Sequence, residues 1–314
     1  MSQAKIAITH AGGLLAEALL ASMTESGISP DSVILLDVSE QAGNRLPFAN
    51  TYINVQDQYE FDYEDLVAVL LLQQDAELES LLQHADCYVL SHFAREEGEA
   101  PVDFSDFKLP PTPQAIRIAD AEASTLLAVV KPLQALSKLA SLQVVNLVSA
   151  SSYGKSAVDE LATQTISLLN SREIQPGIFP LQLAFNMIPQ AACADSAEHL
   201  AALLGSGNTR CSVQTLTVAA FHGLAISVQM EFEQALELSQ IEAVLDNLDG
   251  VRMETRPVSP VTDCQSGSDL LVYGLCQPQK DANRLQFWII ADSVRNGLVK
   301  NYLIAIQFLL KSYL

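Results

Sequence analysis

The chain has 314 residues, 17 Lys+Arg against 37 Asp+Glu, a formal net charge of −20 and 49% hydrophobic residues. At roughly 150 residues per domain this is enough for about two domains, and the aliphatic content excludes disorder as a description of the whole chain. The acidic balance argues against nucleic acid, whose phosphates need clustered Lys and Arg, and against an anionic membrane surface.

The longest unbroken apolar run, Leu66 to Leu72, is far short of the ~20 residues of a membrane helix. Lys5-Ile6-Ala7-Ile8 at the N-terminus does not read as a signal peptide, so the expected location is the cytoplasm. Cys87, Cys193, Cys211, Cys264 and Cys276 form no Cys-x-x-Cys pair, and His10, His84, His92, His199 and His222 lack ligand spacing. Neither a disulfide framework nor a metal site is expected.

In chain order, Lys5–Thr9 reads as a first strand bounded by Gly12-Gly13. Leu14–Met23 has helical spacing with Gly27 as a stop, and Val33–Leu36 is a buried strand ending in Asp37. Strand, glycine turn, helix, strand and a following acid is the order of a dinucleotide-binding βαβ unit. Leu66–Leu72 and Cys87–Leu90 read as further strands and Ala76–Gln83 as a helix, an alternation that predicts a parallel sheet. Pro110, Pro111 and Pro113 are expected to mark the exit from this domain.

A helix is expected to begin near Ser124, with Ser124 as its N-cap. Beyond it, Gln143–Ser149, Ser212–Phe221, Ala225–Phe232 and Arg284–Ala291 read as strands, and Ser156–Asn170 and Ser196–Leu204 as helices. Ser212–Phe221 and Ala225–Phe232 are expected to pair with each other about Gly223, in an antiparallel or mixed sheet. Val294–Leu314 closes the chain as a helix.

Four segments from Ile118 onward resemble, in order, those of aspartate-semialdehyde dehydrogenases. Ile118–Thr125 is similar to their IANPNCST, Ser149–Leu161 to VSGAGxxGxxEL, Gln182–Pro189 to AFNxxP, and Phe287–Gly297 to WxxADNxRxG. Ser149–Ser151, Lys155–Asp159 and Gln182–Pro189 look closest to the Usg-type paralogue branch. The resemblance implies an α/β fold: a Rossmann-like N-terminal domain over 1–122, completed by a C-terminal helix over 293–314. An α+β dimerisation domain over 123–292 follows, with the C-terminal fold shared by aspartate-semialdehyde and glyceraldehyde-3-phosphate dehydrogenases. It also implies a homodimer formed through that second domain.

The chemistry implied by the family needs a Cys nucleophile that attacks the aldehyde, hydride transfer to NADP, cleavage of the acyl-enzyme by phosphate, and a His base. Here Ala123 stands at the nucleophile position and Leu224 at the base. Thr217 replaces the Arg that binds the substrate carboxylate, and Val148 replaces a positioning Gln. The family's acid and Lys after AFNxxP fall near Ala197 and Leu200. The resemblance therefore implies lost activity, and a chain retained to bind a small molecule or a protein partner.

An alternative pair, Ser124 and His222, is a hydrolase-like dyad if His222 shares a strand face with Leu224. The cofactor loop keeps Gly12 and Gly13, but Thr9 and Leu15 replace two family glycines. Glu40 stands where an Arg would hold the 2′-phosphate of NADP; with Asp37 it suits the ribose hydroxyls of NAD. No cofactor is the leading expectation, with NAD or NADP, and an oxidoreductase of altered substrate, as the alternative.

Overall fold

The computed structural model describes residues 4–83, 85–95, 99–103, 110–175, 177–191, 194–205, 208–264, 269–278 and 281–312; His84 and Cys193 lie outside them. The chain divides into two compact units, Met1–Asp120 with Leu298–Leu314, and Ala121–Gly297.

The first unit runs β1 (Ile6–Ile8), α1 (Leu14–Glu25), β2 (Val33–Asp37), β3 (Arg45–Phe48), β4 (Thr51–Asp57), β5 (Ala68–Leu71), α2 (Ala76–Leu82), β6 (Tyr88–Ser91) and β7 (Ala115–Arg117). These strands form one sheet in the order β3-β4-β2-β1-β5-β6-β7, parallel except for the antiparallel β3–β4 pair. Every residue of β1 and β5 is buried, the mark of a parallel sheet covered on both faces. Ala7, Leu36, Val69 and Leu71 pack with Leu78 and Leu82 of α2.

A hairpin turning at Ala49-Asn50, which the sequence reading did not include, follows β2, and one expectation needs correction. The prolines do not end the domain, because β7 follows Pro113 and pairs with β6; the Tyr88 hydroxyl donates to the Pro110 carbonyl at 2.6 Å.

The second unit contains α3 (Ala121–Gln134), β8 (Leu139–Val148), α4 (Lys155–Leu169), β9 (Met187–Pro189), α5 (Ala194–Leu203), β10 (Arg210–Val218), β11 (Leu224–Phe232), α6 (Leu238–Asp246), β12 (Val251–Glu254), α7 (Pro260–Asp263), β13 (Leu270–Cys276) and β14 (Arg284–Ala291). A π-helical stretch, Ser293–Val299, leads into α8 (Lys300–Ser312), which packs on α1 in the first unit. The second sheet has the order β12-β13-β14-β11-β8-β10-β9. β10 and β11 are therefore not partners, contrary to the reading of them as a pair. β8 lies between them, parallel to β10 and antiparallel to β11.

The burial in β11 and β14 has period two. Leu224, Ile226, Val228 and Met230 point into the core; Gln229, Gln286 and Trp288 are exposed on the other face. Among the described residues no helix is long and apolar enough to cross a membrane.

His92 ties the first unit together: its Nδ1 lies 3.1 Å from the Tyr302 hydroxyl, which donates to the Leu71 carbonyl at 3.3 Å. Burial pushes the imidazole down to about 4, and Arg117 acts in the same direction. A base with a folded pKa below its unfolded value binds fewer protons folded than unfolded between the two. Its stabilising effect is thus complete above about pH 6.5 and lost as pH falls toward 4, by up to about 3 kcal/mol. Urea titrations at pH 7 and pH 5 are expected to differ by about 2 kcal/mol from this group, and His92→Asn is expected to flatten the difference.

Candidate functional site

Three of the four positions implied for catalysis fall in one row across the second sheet. Val148, the last residue of β8, is the register partner of Thr217 on β10 and of Leu224 on β11. All three are buried. The fourth position, Ala123, lies in the first turn of α3, a helix that packs against β11 and β14. Residues 76 positions apart in sequence thus meet because β8 is inserted between β10 and β11. The row carries a hydroxyl, an isopropyl and an isobutyl group, and Ala123 on α3 a methyl, with no charge and no thiol among the four.

Thr217 is not left without polar contacts. Its Oγ1 lies 2.7 Å from the Tyr153 hydroxyl and accepts from Gln190 Nε2 at 3.2 Å, and Gln190 also donates to Tyr153. Burial raises the Tyr153 phenol while the Thr217 contact lowers it, and burial prevails. Beside this trio, the hydroxyls of Ser149 and Ser151 are 3.0 Å apart, and those of Ser151 and Ser293 3.5 Å. The sequence reading missed Tyr153 and Gln190 as partners of Thr217. Tyr153 lies inside a family-like segment, but nothing local to it points to a strand 64 residues later.

The Ser124–His222 argument loses its geometric basis. β11 begins at Leu224, so His222 lies in the exposed loop before the strand and shares no strand face with Leu224. Backbone bonds from Ala150 and Ser151 to the carbonyls of Ala220 and Phe221 hold that loop. Ser124 is the fourth residue of α3 rather than its N-cap, because the helix starts at Ala121. Ala197 and Leu200 both lie on α5, which packs against β10.

The dinucleotide-type loop stands at the carboxyl end of β1. Gly12 donates its N–H to Asp37 Oδ2 at 2.7 Å, and Val38 donates to Asp37 Oδ1 at 2.8 Å. Asp37 is buried at the end of β2, whereas Glu40 is exposed in the turn beyond it. Gly13 is the N-cap of α1, so the helix begins at the end of this loop. Thr9, at the first glycine position, donates to the Leu70 carbonyl and so joins β1 to β5.

A second polar group crosses the same sheet end. Asp75 Oδ2 accepts from the Tyr59 hydroxyl (2.7 Å) and from Gln58 Nε2 (3.0 Å), and lies 3.5 Å from His10 Nε2. Burial lowers the His10 imidazole despite the nearby Asp37 and Asp75 carboxylates. His10 itself takes a left-handed φ of 51°. Among the described residues no group of three His, Cys, Asp or Glu is arranged to hold a metal ion.

Comparison with known proteins places this geometry. The model of the semialdehyde dehydrogenase dimerisation domain matches residues 130–296. A USG-1 protein homolog of Pseudomonas aeruginosa is 29% identical, covering 98% of this chain and 98% of that protein. An aspartate-semialdehyde dehydrogenase of Rickettsia bellii is 24% identical over the same shares. The solved structure of a probable aspartate-semialdehyde dehydrogenase from Pseudomonas aeruginosa superposes with a TM-score of 0.87 at 26% identity, covering both chains fully. The parallel first sheet is accordingly a Rossmann-like domain and the second unit a dimerisation domain, and the chain belongs to the semialdehyde dehydrogenase family.

Proposed function

We propose that this chain is a catalytically silent member of its family, kept as a homodimeric binding or regulatory protein. The observation that carries the reading is the row Thr217–Val148–Leu224, with Ala123 on the adjoining helix. The four positions implied for nucleophile, base, carboxylate anchor and positioning amide hold no thiol, no imidazole, no guanidinium and no amide. Replacing polar catalytic groups by Ala, Leu, Val and a satisfied Thr also removes the cost of burying polar atoms. The name of the matched domain supports the dimer.

The second reading, an NAD(P)-dependent oxidoreductase acting on an aldehyde or oxo group of a different substrate, rests on the Gly12–Asp37 contact and the helix that starts at Gly13. Calorimetric titration with NAD and NADP separates the two. The expected result is no heat at millimolar cofactor. Binding of NAD but not NADP, abolished by Asp37→Ala, would transfer support to the oxidoreductase.

A further inference from the structure

The turn Gln182–Asn186 is unusually constructed. Phe185 takes φ of 59°, a left-handed conformation that a residue with a large side chain rarely adopts. The ring gains no burial from it: Phe185 is 70% exposed. Its neighbours in the segment, Leu181 (63%), Met187 (59%) and Ile178 (48%), are also open to solvent.

The turn is held firmly from the inside. Gln164 Oε1, on α4, accepts from both Leu183 N (2.8 Å) and Ala184 N (3.1 Å). Gln182 Nε2 donates to the Ala184 carbonyl, Asn186 Nδ2 to the Gln182 carbonyl, and Asn186 N to the Leu183 carbonyl. Phe179, Leu183 and Ala184 are buried against Ala157 and Leu161 of α4. The inner side chains and the amide bonds fix a backbone that thrusts the outer apolar side chains away from the protomer. Strain kept by so many contacts points to a use outside the protomer.

The charge distribution selects the partner. The chain carries −20, so two copies repel over most of their surface. From Ile174 to Ala194, however, the sequence holds no Asp, Glu, Lys or Arg. Here two copies can meet without a like-charge cost, and Phe and Met are the residues enriched where interfaces exclude charge. The segment continues into β9, the last strand at one edge of the sheet in the matched dimerisation domain, and lies within the matched residues 130–296. We infer that the Ile178–Met187 segment, with Phe185 at its tip, is an apolar anchor through which a second copy of this chain docks. The inference rests on the homodimer of the proposed function, and it names the residues that hold that dimer.

Light scattering coupled to gel filtration, over a concentration series, tests it with the full-length chain. Wild type is expected at twice 34.0 kDa. Phe185→Asp is expected to raise the dimer dissociation constant by roughly 100-fold or more, since it places a charge at a desolvated anchor. Phe185→Gly removes the ring while suiting the left-handed backbone, so it keeps the fold and is expected to weaken the dimer by about 10-fold or more. Leu81→Asp, an exposed apolar residue of the first unit, serves as the control and is expected to stay dimeric. A wild type that runs as a monomer would remove the dimer itself. A dimeric wild type whose Phe185→Gly variant dissociates no more readily, or a control that dissociates equally, would overturn the anchor and leave the dimer standing.

Discussion

Purified protein is expected to show no NADP-dependent oxidation of aspartate semialdehyde in the presence of phosphate, and Ala123→Cys alone is expected to leave it inactive. Catalytic groups that act as a unit fail as a unit: removing one member of such a set commonly costs on the order of 10⁴–10⁶ in kcat, and restoring one restores little. A thiol at position 123 would still lack a base at Leu224 and a carboxylate fork at Thr217. The base position is also structurally committed. Leu224 is fully buried and in register with Val148 on one side and Ala291 on the other. An imidazole there exchanges an apolar contact for a polar group without a built partner, so Leu224→His is expected to destabilise the protein by about 2–4 kcal/mol in chemical denaturation. Turnover by the wild type, lost in Ser124→Ala or His222→Ala, would refute the silent reading. A stable Leu224→His variant would show that the site has not been absorbed into the core.

Legibility in the sequence followed the strength of the periodic signal. Arg284–Ala291 was readable to the residue as β14, because Leu285, Phe287 and Ile289 alternate with outward-facing positions and so record one buried face. Ala68–Leu71 was readable as an unbroken apolar run for the opposite reason, since both its faces are covered. Strand neighbours were not readable. β10 and β11 follow each other in the chain, and a pivot at Gly223 suggested a hairpin. The buried alternation of β8 (Leu142, Val144, Val148) instead makes it a central strand that needs a partner on each side. β3, β7 and β9 have three or four residues each, two of them containing proline, too few for a period to register.

The same division holds at the site. The identity of the four positions implied for catalysis came from the resemblance, residue by residue, and the sheet row then brought three of them together. Tyr153 and Gln190 were invisible because their tie to Thr217 joins residues 64 and 27 positions apart. Long-range side-chain contacts leave no local pattern; only the topology of β8, β10 and β9 creates them.

Gly223→Ala is expected to be among the most damaging single-methyl additions in the second unit, costing about 3 kcal/mol or more in chemical denaturation. Two independent reasons coincide at this position. Gly223 has φ of 103°, outside what a residue with a β-carbon adopts at low cost, and an added Cβ would lie 2.2 Å from Pro260 Cβ on α7. Two other glycines separate the two effects. Gly27 has φ of 71° with nothing near its missing Cβ, so Gly27→Ala carries the conformational penalty alone, about 1 kcal/mol. Gly297 has no left-handed φ, but its Cβ would meet the Ala121 Cα at 2.7 Å and carbonyl oxygen at 2.8 Å. Backbone cannot swing aside as a long side chain can, so Gly297→Ala is expected to cost about 2–3 kcal/mol through overpacking. The expected order of loss is therefore Gly223, then Gly297, then Gly27. Gly223 immediately precedes Leu224, and Gly297 abuts the start of the helix that carries Ala123. Both glycines thus hold the backbone around Leu224 and the first turn of α3, Gly223 by conformation and packing and Gly297 by packing. A Gly223→Ala variant within about 1 kcal/mol of wild type would mean that Pro260 is not against the head of β11, and the tight seating of Leu224 would fail with it.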